Sequence, residues 1–216
     1  MKNISHIQKY YQQKALTYGI SPQREFKIVE SLTFIHGCRI LDIGCATGYL
    51  GYKLKQNNNY IIGVDISSKA IMKAKKILDE AYTIDIEQQT IPIRKKVDVI
   101  IIPEVIEHLF LPEQTLRGLL KHLKSGGIML ISTPNLLYWG NRIQFLRGKF
   151  SYTRCGIFDE SHIHFFTHAT VKNLGRIRNL TIFKENHIGA GSIGNLLLAK
   201  YPNILALHLI FLFKKS

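Results

Sequence analysis

The chain has 216 residues, 46% hydrophobic and 20% charged, with 29 basic and 15 acidic side chains for a net charge of +14. That length and apolar content fit one domain, with room for an insertion, able to bury a substantial core. Cys38, Cys45 and Cys155 are scattered with no CxxC pair, which argues against a disulfide framework and for a reducing, cytoplasmic setting.

The opening MKNISHIQKYYQQK has no apolar core, so no signal peptide is expected there. The longest apolar run, residues 204–213, falls short of the roughly 20 residues a membrane helix needs and reads as a buried strand. The positive charge would favour an anionic partner, yet the basic residues are dispersed. Lys69, Lys73, Lys75 and Lys76 cluster as the solvated face of a helix does.

Residues 1–37 read as an N-terminal helical leader or lid, within which Pro22 opens a helix with apolar Phe26, Val29, Leu32 and Ile35 at helical spacing. Residues 38–216 read as the main domain. Strands are predicted at 39–43, 60–65, 82–85, 97–102 and 128–132, with helices at 48–57, 68–80 and 112–124 between them. Ser67 or Ser68 caps the second of these helices, and Gly126-Gly127 turns the chain before the last strand. Strands alternating with helices mean an α/β domain with a mainly parallel sheet. Residues 137–161 break the rhythm as an aromatic, arginine-rich insertion with a helix near 138–146. Thr167 caps a helix to about 178, and strands follow at 181–185 and 208–213. The connection to the last strand holds no full crossover helix, so that strand is expected to be antiparallel.

Residues 39–51 read RILDIGCATGYLG. A strand ends in an acid and glycines follow. Gly44 permits a sharp turn, Gly48 lets the next helix start against it, and unbonded backbone N–H groups there would suit a polar ligand. The spacing is not GxGxxG and no GK[ST] follows, so nicotinamide and nucleotide-triphosphate readings are weak. Asp65 closes the second strand, where an acid can accept both hydroxyls of a ribose. Asp85 ends the third predicted strand and is placed to accept from an adenine amino group, with Ile86 packing on the ring.

LDIGCATG, GVDIS and LKSGGIMLISTPN resemble the class I S-adenosylmethionine-dependent methyltransferases, of the type 11/23-like group, from about residue 38 onward. The resemblance implies a Rossmann-like fold with a mostly parallel seven-stranded sheet and an antiparallel last strand. It implies that Asp42, Gly44, Cys45, Ala46 and Gly48 line the methionine half of S-adenosylmethionine, that Asp65 and Ile66 hold the ribose, and that Asp85 and Ile86 flank the adenine. Pro103 and Glu104 would lie beside cofactor and substrate. The family's usual glycine at position 46 is alanine here, whose methyl group crowds the loop if that residue needs a positive φ.

The stretch PEVIEHL leaves a buried strand with Glu104, Glu107 and His108. If the turn is helical, all three face one way and suit Mg²⁺ or Mn²⁺. EVIEH, then STPN, then a histidine before an aromatic pair resembles metal-dependent small-RNA 2′-O-methyltransferases, quinone-precursor O-methyltransferases and the methionine biosynthesis protein W group. The match to the RNA enzymes implies His162 as a fourth ligand. His108 or His162 as a general base without metal, and a purely structural use, stay open beside it. His162 and His164 alternate on an extended segment and are expected to point to opposite sides.

In the insertion Tyr138, Trp139, Phe145, Phe150, Tyr152 and Phe158 are candidates for an apolar substrate wall. Arg142, Arg147 and Arg154 are candidates for an anionic substrate group, the alternative being a satellite core with solvated arginines. Asn135 and Glu107 are candidate substrate contacts. The expected activity is methyl transfer from S-adenosylmethionine to a small-molecule acceptor at oxygen. A metal-dependent RNA ribose 2′-O-methyltransferase and a cofactor-binding protein acting through a partner enzyme are the alternatives, and the oligomeric state is open.

Overall fold

A computed structural model of the chain describes residues 22–175, 180–189, 197–198 and 200–216. The predicted leader before Pro22 and the predicted helix end at 176–178 lie outside the described residues. The chain divides into two compact units, one running to Ile101 and adding Lys121–Gly127, the other formed by Ile102–Leu120 and Ile128–Ser216.

The first unit holds α1 (Pro22–Ser31), β1 (Arg39–Ile43), α2 (Tyr49–Lys55), β2 (Tyr60–Asp65), α3 (Ser68–Ala74), β3 (Glu80–Thr83) and most of β4 (Val97–Pro103). Its strands run β3-β2-β1-β4 and pair in parallel, Asp42 opposite both Gly63 and Ile101. β1, β2 and β4 read as near-continuous apolar runs because both faces of a parallel sheet are covered, and Ile40, Leu41, Ile61, Ile62, Ile100 and Ile101 are fully buried. Polar side chains fasten the strand starts. Asp98 accepts the Arg39 N–H at 2.9 Å and pairs with Lys124 at 2.6 Å, while Asp79 accepts the Ile61 N–H at 2.8 Å.

Three expectations are corrected in this unit. α1 ends at Ser31 and buries Ile28 and Ser31; of the predicted apolar positions, Leu32 and Ile35 just past its end are buried, while Phe26 is 69% exposed. β3 covers Glu80–Thr83 instead of 82–85, because its ladder with β2 runs out at Asp65 opposite Thr83. α3, capped by the Ser67 hydroxyl on the Ala70 N–H, is shorter than predicted and passes into turns that reach Leu78.

The second unit holds a 3₁₀ turn (Ile106–His108), α4 (Pro112–Leu119), the body of β5 (Leu123–Pro134), α5 (Trp139–Leu146), α6 (His168–Leu174), β6 (Leu180–Glu185), β7 (Ile188–Gly189), α7 (Pro202–Leu205) and β8 (Ala206–Lys215). β8 lies antiparallel between β5 and β6, as the short connection before it requires, and the two-residue β7, which the sequence did not announce, also pairs with β8. Gly126-Gly127 makes no turn. Both residues belong to β5, Gly126 with φ 74°, so the strand starts earlier than predicted. Thr167 caps α6 in a reciprocal pair with Thr170. The molecule is thus an α/β fold with parallel strands first and antiparallel strands at the C-terminal end. Among the described residues no helix is long and apolar enough to cross a membrane.

At the outer end of β6, Glu185 Oε2 accepts from His168 Nε2 at 2.7 Å and from His187 Nε2 at 2.8 Å, and both rings rest on Phe211. His187, with His168 beside it, holds the Glu185 carboxyl down to about 2 against the opposing pull of partial burial. A carboxyl lowered in the folded state stabilises the fold above its unfolded value, 4.5, and loses that contribution as pH falls through about 2. In thermal melts across the acid range, Glu185→Gln is expected to flatten the loss of stability in that window; an unchanged acid profile contradicts this. The carboxylate is partly solvated, so the gain at neutral pH is modest.

Candidate functional site

The loop after β1 sits on the end of β2. Gly44 and Cys45 donate to the Val64 carbonyl at 2.8 and 3.1 Å, Ala46 donates to Asp65 Oδ2 at 2.9 Å, and Gly48 closes back on Cys45. These amides are satisfied within the protein, so the loop offers a ligand its shape and peptide faces rather than the row of unbonded N–H groups expected from the glycines. Gly48 takes φ 86° as it opens α2. Gly63, which sequence reasoning passed over, makes the docking possible: a Cβ there would lie 2.7 Å from the Cys45 sulfur. A glycine inside a strand is the signal that marks such a close approach.

Ala46 adopts φ 46°, the left-handed region in which glycine is usual, so the condition for crowding is met. Asp65, nearly buried, divides its carboxylate between the Ala46 and Ser67 amides, Oδ1 taking Ser67 N–H at 2.8 Å. Burial raises its pKa against those N–H donors. Its remaining lone pairs can accept hydroxyl groups. Asp42 is fully buried, and neither carboxylate oxygen has a hydrogen-bond partner among the described residues. Burial first, and then the neighbouring Asp65, push its carboxyl up to about 8. Burial with Asp42 and Asp65 also pushes the Cys45 thiol well up. A buried orphan acid under a tight loop suits a ligand with a cationic group, and in that respect these residues fit S-adenosylmethionine. Ile66 follows Asp65 half-buried. Asp85 lies two residues past β3, its carboxylate accepting the Glu87 N–H at 3.1 Å, with Ile86 half-buried beside it.

In the second unit, Pro103 ends β4 and Glu104 takes φ 53°. That left-handed turn at Glu104 breaks the helical path into the 3₁₀ turn carrying Glu107 and His108, so the three do not share one helical face. Instead Glu104 Oε1 accepts from Ser132 at 2.9 Å, and Oε2 accepts from His208 Nδ1 at 3.1 Å. Ser132 and His208 were missed: both sit in apolar strands, and only the antiparallel placement of β8 beside β5 brings His208 to this end.

Glu107, His108 and His162 come together, each offering a ligand atom within 4.8 Å of the others. Thr133 donates to Glu107 Oε2 at 3.1 Å. His162 arrives because the Ile163 and His164 amides both bond the Glu107 carbonyl, at 3.0 and 3.1 Å, while His164 reaches the Phe110 carbonyl on the other side. His108 Nδ1 lies 3.0 Å from the Ser161 carbonyl and His162 Nδ1 lies 2.9 Å from the Ile157 carbonyl. A carbonyl only accepts, so each Nδ1 donates, and in the neutral ring the lone pair is then on Nε2. His162 Nε2 is 4.0 Å from Glu107 Oε1. Two imidazoles fixed by carbonyls and a carboxylate are a donor set for a divalent cation.

The group around Glu185 has the same composition and the opposite capacity. There His187 Nδ1 accepts the Ile210 N–H at 3.0 Å, so its Nε2 holds the proton and His187 itself has no lone pair left for an ion.

Asn135 is almost fully buried and bonded to backbone: Oδ1 accepts from Leu137 and Nδ2 donates to Asn203 and Ala206. Arg142 Nε donates to the Leu137 carbonyl at 2.7 Å, and Tyr138 packs beside Trp139 at the start of α5. Phe145, Phe150 and Phe158 pack with ring centroids 5.2–6.2 Å apart; only Phe158 is buried, and Phe145, Phe150, Trp139 and Tyr152 are exposed.

A family model described as a methyltransferase domain matches residues 35–174. The ubiquinone biosynthesis O-methyltransferase of Bradyrhizobium diazoefficiens is 36% identical over 111 residues, 50% of this chain and 44% of that protein. The enzyme of the same name from Coxiella burnetii is 31% identical over 121 residues, 54% of this chain and 51% of that protein. The matched stretch therefore spans about half the length of these curated relatives. Among solved structures, a putative methyltransferase in complex with the Trm112 methyltransferase activator of Haloferax volcanii superposes with a TM-score of 0.69 at 14% identity, covering 99% of this chain and 100% of that one. The small RNA methyltransferase HEN1 superposes with 0.68 at 20% identity, covering 91% of this chain and 25% of that one. At these identities the structural likeness concerns the fold.

Substitutions at two positions check the geometry. Ala46→Gly relieves a left-handed residue by about 1 kcal/mol and gives back about 0.4–1 kcal/mol in unfolded-chain entropy, so melting is expected to change little, whereas Ala46→Val lowers it clearly. His208→Ala removes a donor from a buried carboxylate and is expected to cost about 1–3 kcal/mol in denaturant unfolding; no change would contradict the Glu104–His208 pairing.

Proposed function

Since this chain belongs to the methyltransferase-domain family and is a class I S-adenosylmethionine-dependent member of it, we propose that it transfers a methyl group from S-adenosylmethionine to an oxygen of a small-molecule acceptor. The observation that carries the choice of oxygen is the identity, above 30%, with two ubiquinone biosynthesis O-methyltransferases. By that likeness the acceptor is a phenol-like molecule.

S-adenosylmethionine supplies an electrophilic methyl group when bound, and its transfer is an in-line displacement in which orientation and exclusion of water carry much of the rate. On this reading Gly44, Cys45, Ala46 and Gly48 cradle the methionine part, Asp65 takes ribose hydroxyls on its remaining lone pairs, and Asp85 and Ile86 flank the adenine. Glu107, His108 and His162 act on the acceptor. A divalent cation held by them would make an acceptor hydroxyl more acidic. Without one, a histidine Nε2 lone pair takes the hydroxyl proton directly. The backbone-fixed tautomers favour the cation, and Glu104, held by Ser132 and His208, orients beside that group. This chemistry also fits a ribose 2′-hydroxyl, so an RNA acceptor is the second reading.

Calorimetry with S-adenosylmethionine and with S-adenosylhomocysteine is expected to show micromolar binding, weakened about tenfold or more by Asp65→Ala through the loss of charge-assisted hydrogen bonds. No heat with either ligand overturns the cofactor assignment. A labelled-methyl assay against a metabolite extract and against total small RNA is expected to label the extract; label in RNA alone reverses the order of the two readings. Chelation is expected to abolish turnover while cofactor binding persists, with Mg²⁺ or Mn²⁺ restoring it in the native chain and not in Glu107→Ala. Turnover that survives chelation assigns the group to proton transfer instead.

A further inference from the structure

A carboxyl group sealed from water either keeps its proton or sits against a cation. Asp42 is sealed: it is fully buried, and both oxygens lack a hydrogen-bond partner among the described residues. Among the described residues, the elements packed around it bring no positive charge. β2 brings Gly63 opposite it and the Asp65 carboxylate, β4 brings Ile101, and the loop brings the Cys45 thiol. α2 turns Gly51 toward it, where a Cβ would lie 3.4 Å from Oδ2 and closer still to Ile61 and Leu78. Asp65 adds like charge, and its own oxygens are turned to the Ala46 and Ser67 amides.

We propose that Asp42 holds a proton in the free protein and gives it up when the cofactor is loaded, so that cofactor capture exchanges one proton for one organic cation. This rests on the reading that the loop binds S-adenosylmethionine, whose ammonium and sulfonium groups are both cationic. The carboxyl O–H bond breaks, the proton passes to solvent, and the carboxylate then balances the positive charge of the ligand. The displaced proton makes cofactor affinity depend on pH. Because the free carboxyl is pushed up to about 8, affinity strengthens about tenfold per pH unit as pH rises toward that value and then levels.

The test is calorimetric titration of S-adenosylmethionine into the full chain at neutral pH, in buffers of different ionisation enthalpy. The expected result is release of about one proton per bound cofactor, with none from Asp42→Asn. Infrared difference spectra of the unsubstituted chain supply a reading that does not depend on how the variant folds: a protonated-carboxyl band present in the free protein is expected to vanish on addition of cofactor. S-adenosylhomocysteine, which keeps the ammonium and lacks the sulfonium, identifies the trigger. Release with both ligands assigns it to the ammonium and release with S-adenosylmethionine alone to the sulfonium, and either outcome upholds the exchange. Cofactor binding with buffer-independent heat and no infrared change overturns the inference while leaving the cofactor assignment standing. Equal release from Asp42→Asn overturns it too, and failure to bind either ligand overturns both.

Discussion

The carboxylate of Asp65 fastens two pieces of backbone at once. One oxygen takes the Ala46 amide from the loop after β1, and the other takes the Ser67 amide that begins α3. The first bond, with the Gly44, Cys45 and Gly48 amides bonded on either side, holds a non-glycine residue at φ 46°. The second sets the residue whose hydroxyl caps the helix. The two strand ends are therefore tied to the segments that follow them, and the loop lies pressed onto Gly63 with no side chain beneath it. The amides of Gly44, Cys45, Ala46 and Gly48 are consumed in this fastening. A ligand received there meets a fixed surface and a buried acid rather than flexible donors, which keeps the entropy cost of ordering the loop out of the binding step.

The second unit shows how little composition says about chemistry. Two histidines and a glutamate gather twice among the described residues. In one group the Nδ1 atoms meet carbonyls, and in the other His187 Nδ1 meets an N–H. That single exchange of acceptor for donor decides whether the facing nitrogen is a ligand or a hydrogen-bond donor. The first group is equipped to hold something, and the second is equipped to hold β6, β7 and β8 together.

The sequence carries the parallel strands with good boundaries because their residues are apolar on both faces and bounded by glycine, asparagine and acids; Arg39–Ile43 and Tyr60–Asp65 fold as read. The glycine loop and its acid were legible for the same reason. Asp85 was placed in a strand because an acid after a short β-rich stretch looks like a strand end, whereas the ladder with β2 sets the end two residues earlier. Glu104 was grouped with Glu107 and His108 by counting residues along a helical turn. A left-handed residue cannot be read from a glutamate, and it breaks that count. His208 had no local signal at all, since its importance arises from pairing across β8 and not from its neighbours in the chain.

The delivery of His162 is done by backbone. The amides of Ile163 and His164 bond the Glu107 carbonyl, and Leu136 bonds the Phe166 carbonyl just beyond. Neither contact depends on which side chains stand at 163 or 164, or on what lies between Leu137 and Ile157. The span from α5 to the Thr153–Asp159 bridge can change its side chains while the histidine is returned each time to the same address. A chain built this way can rewrite a peripheral segment without moving the imidazole that segment leads back to.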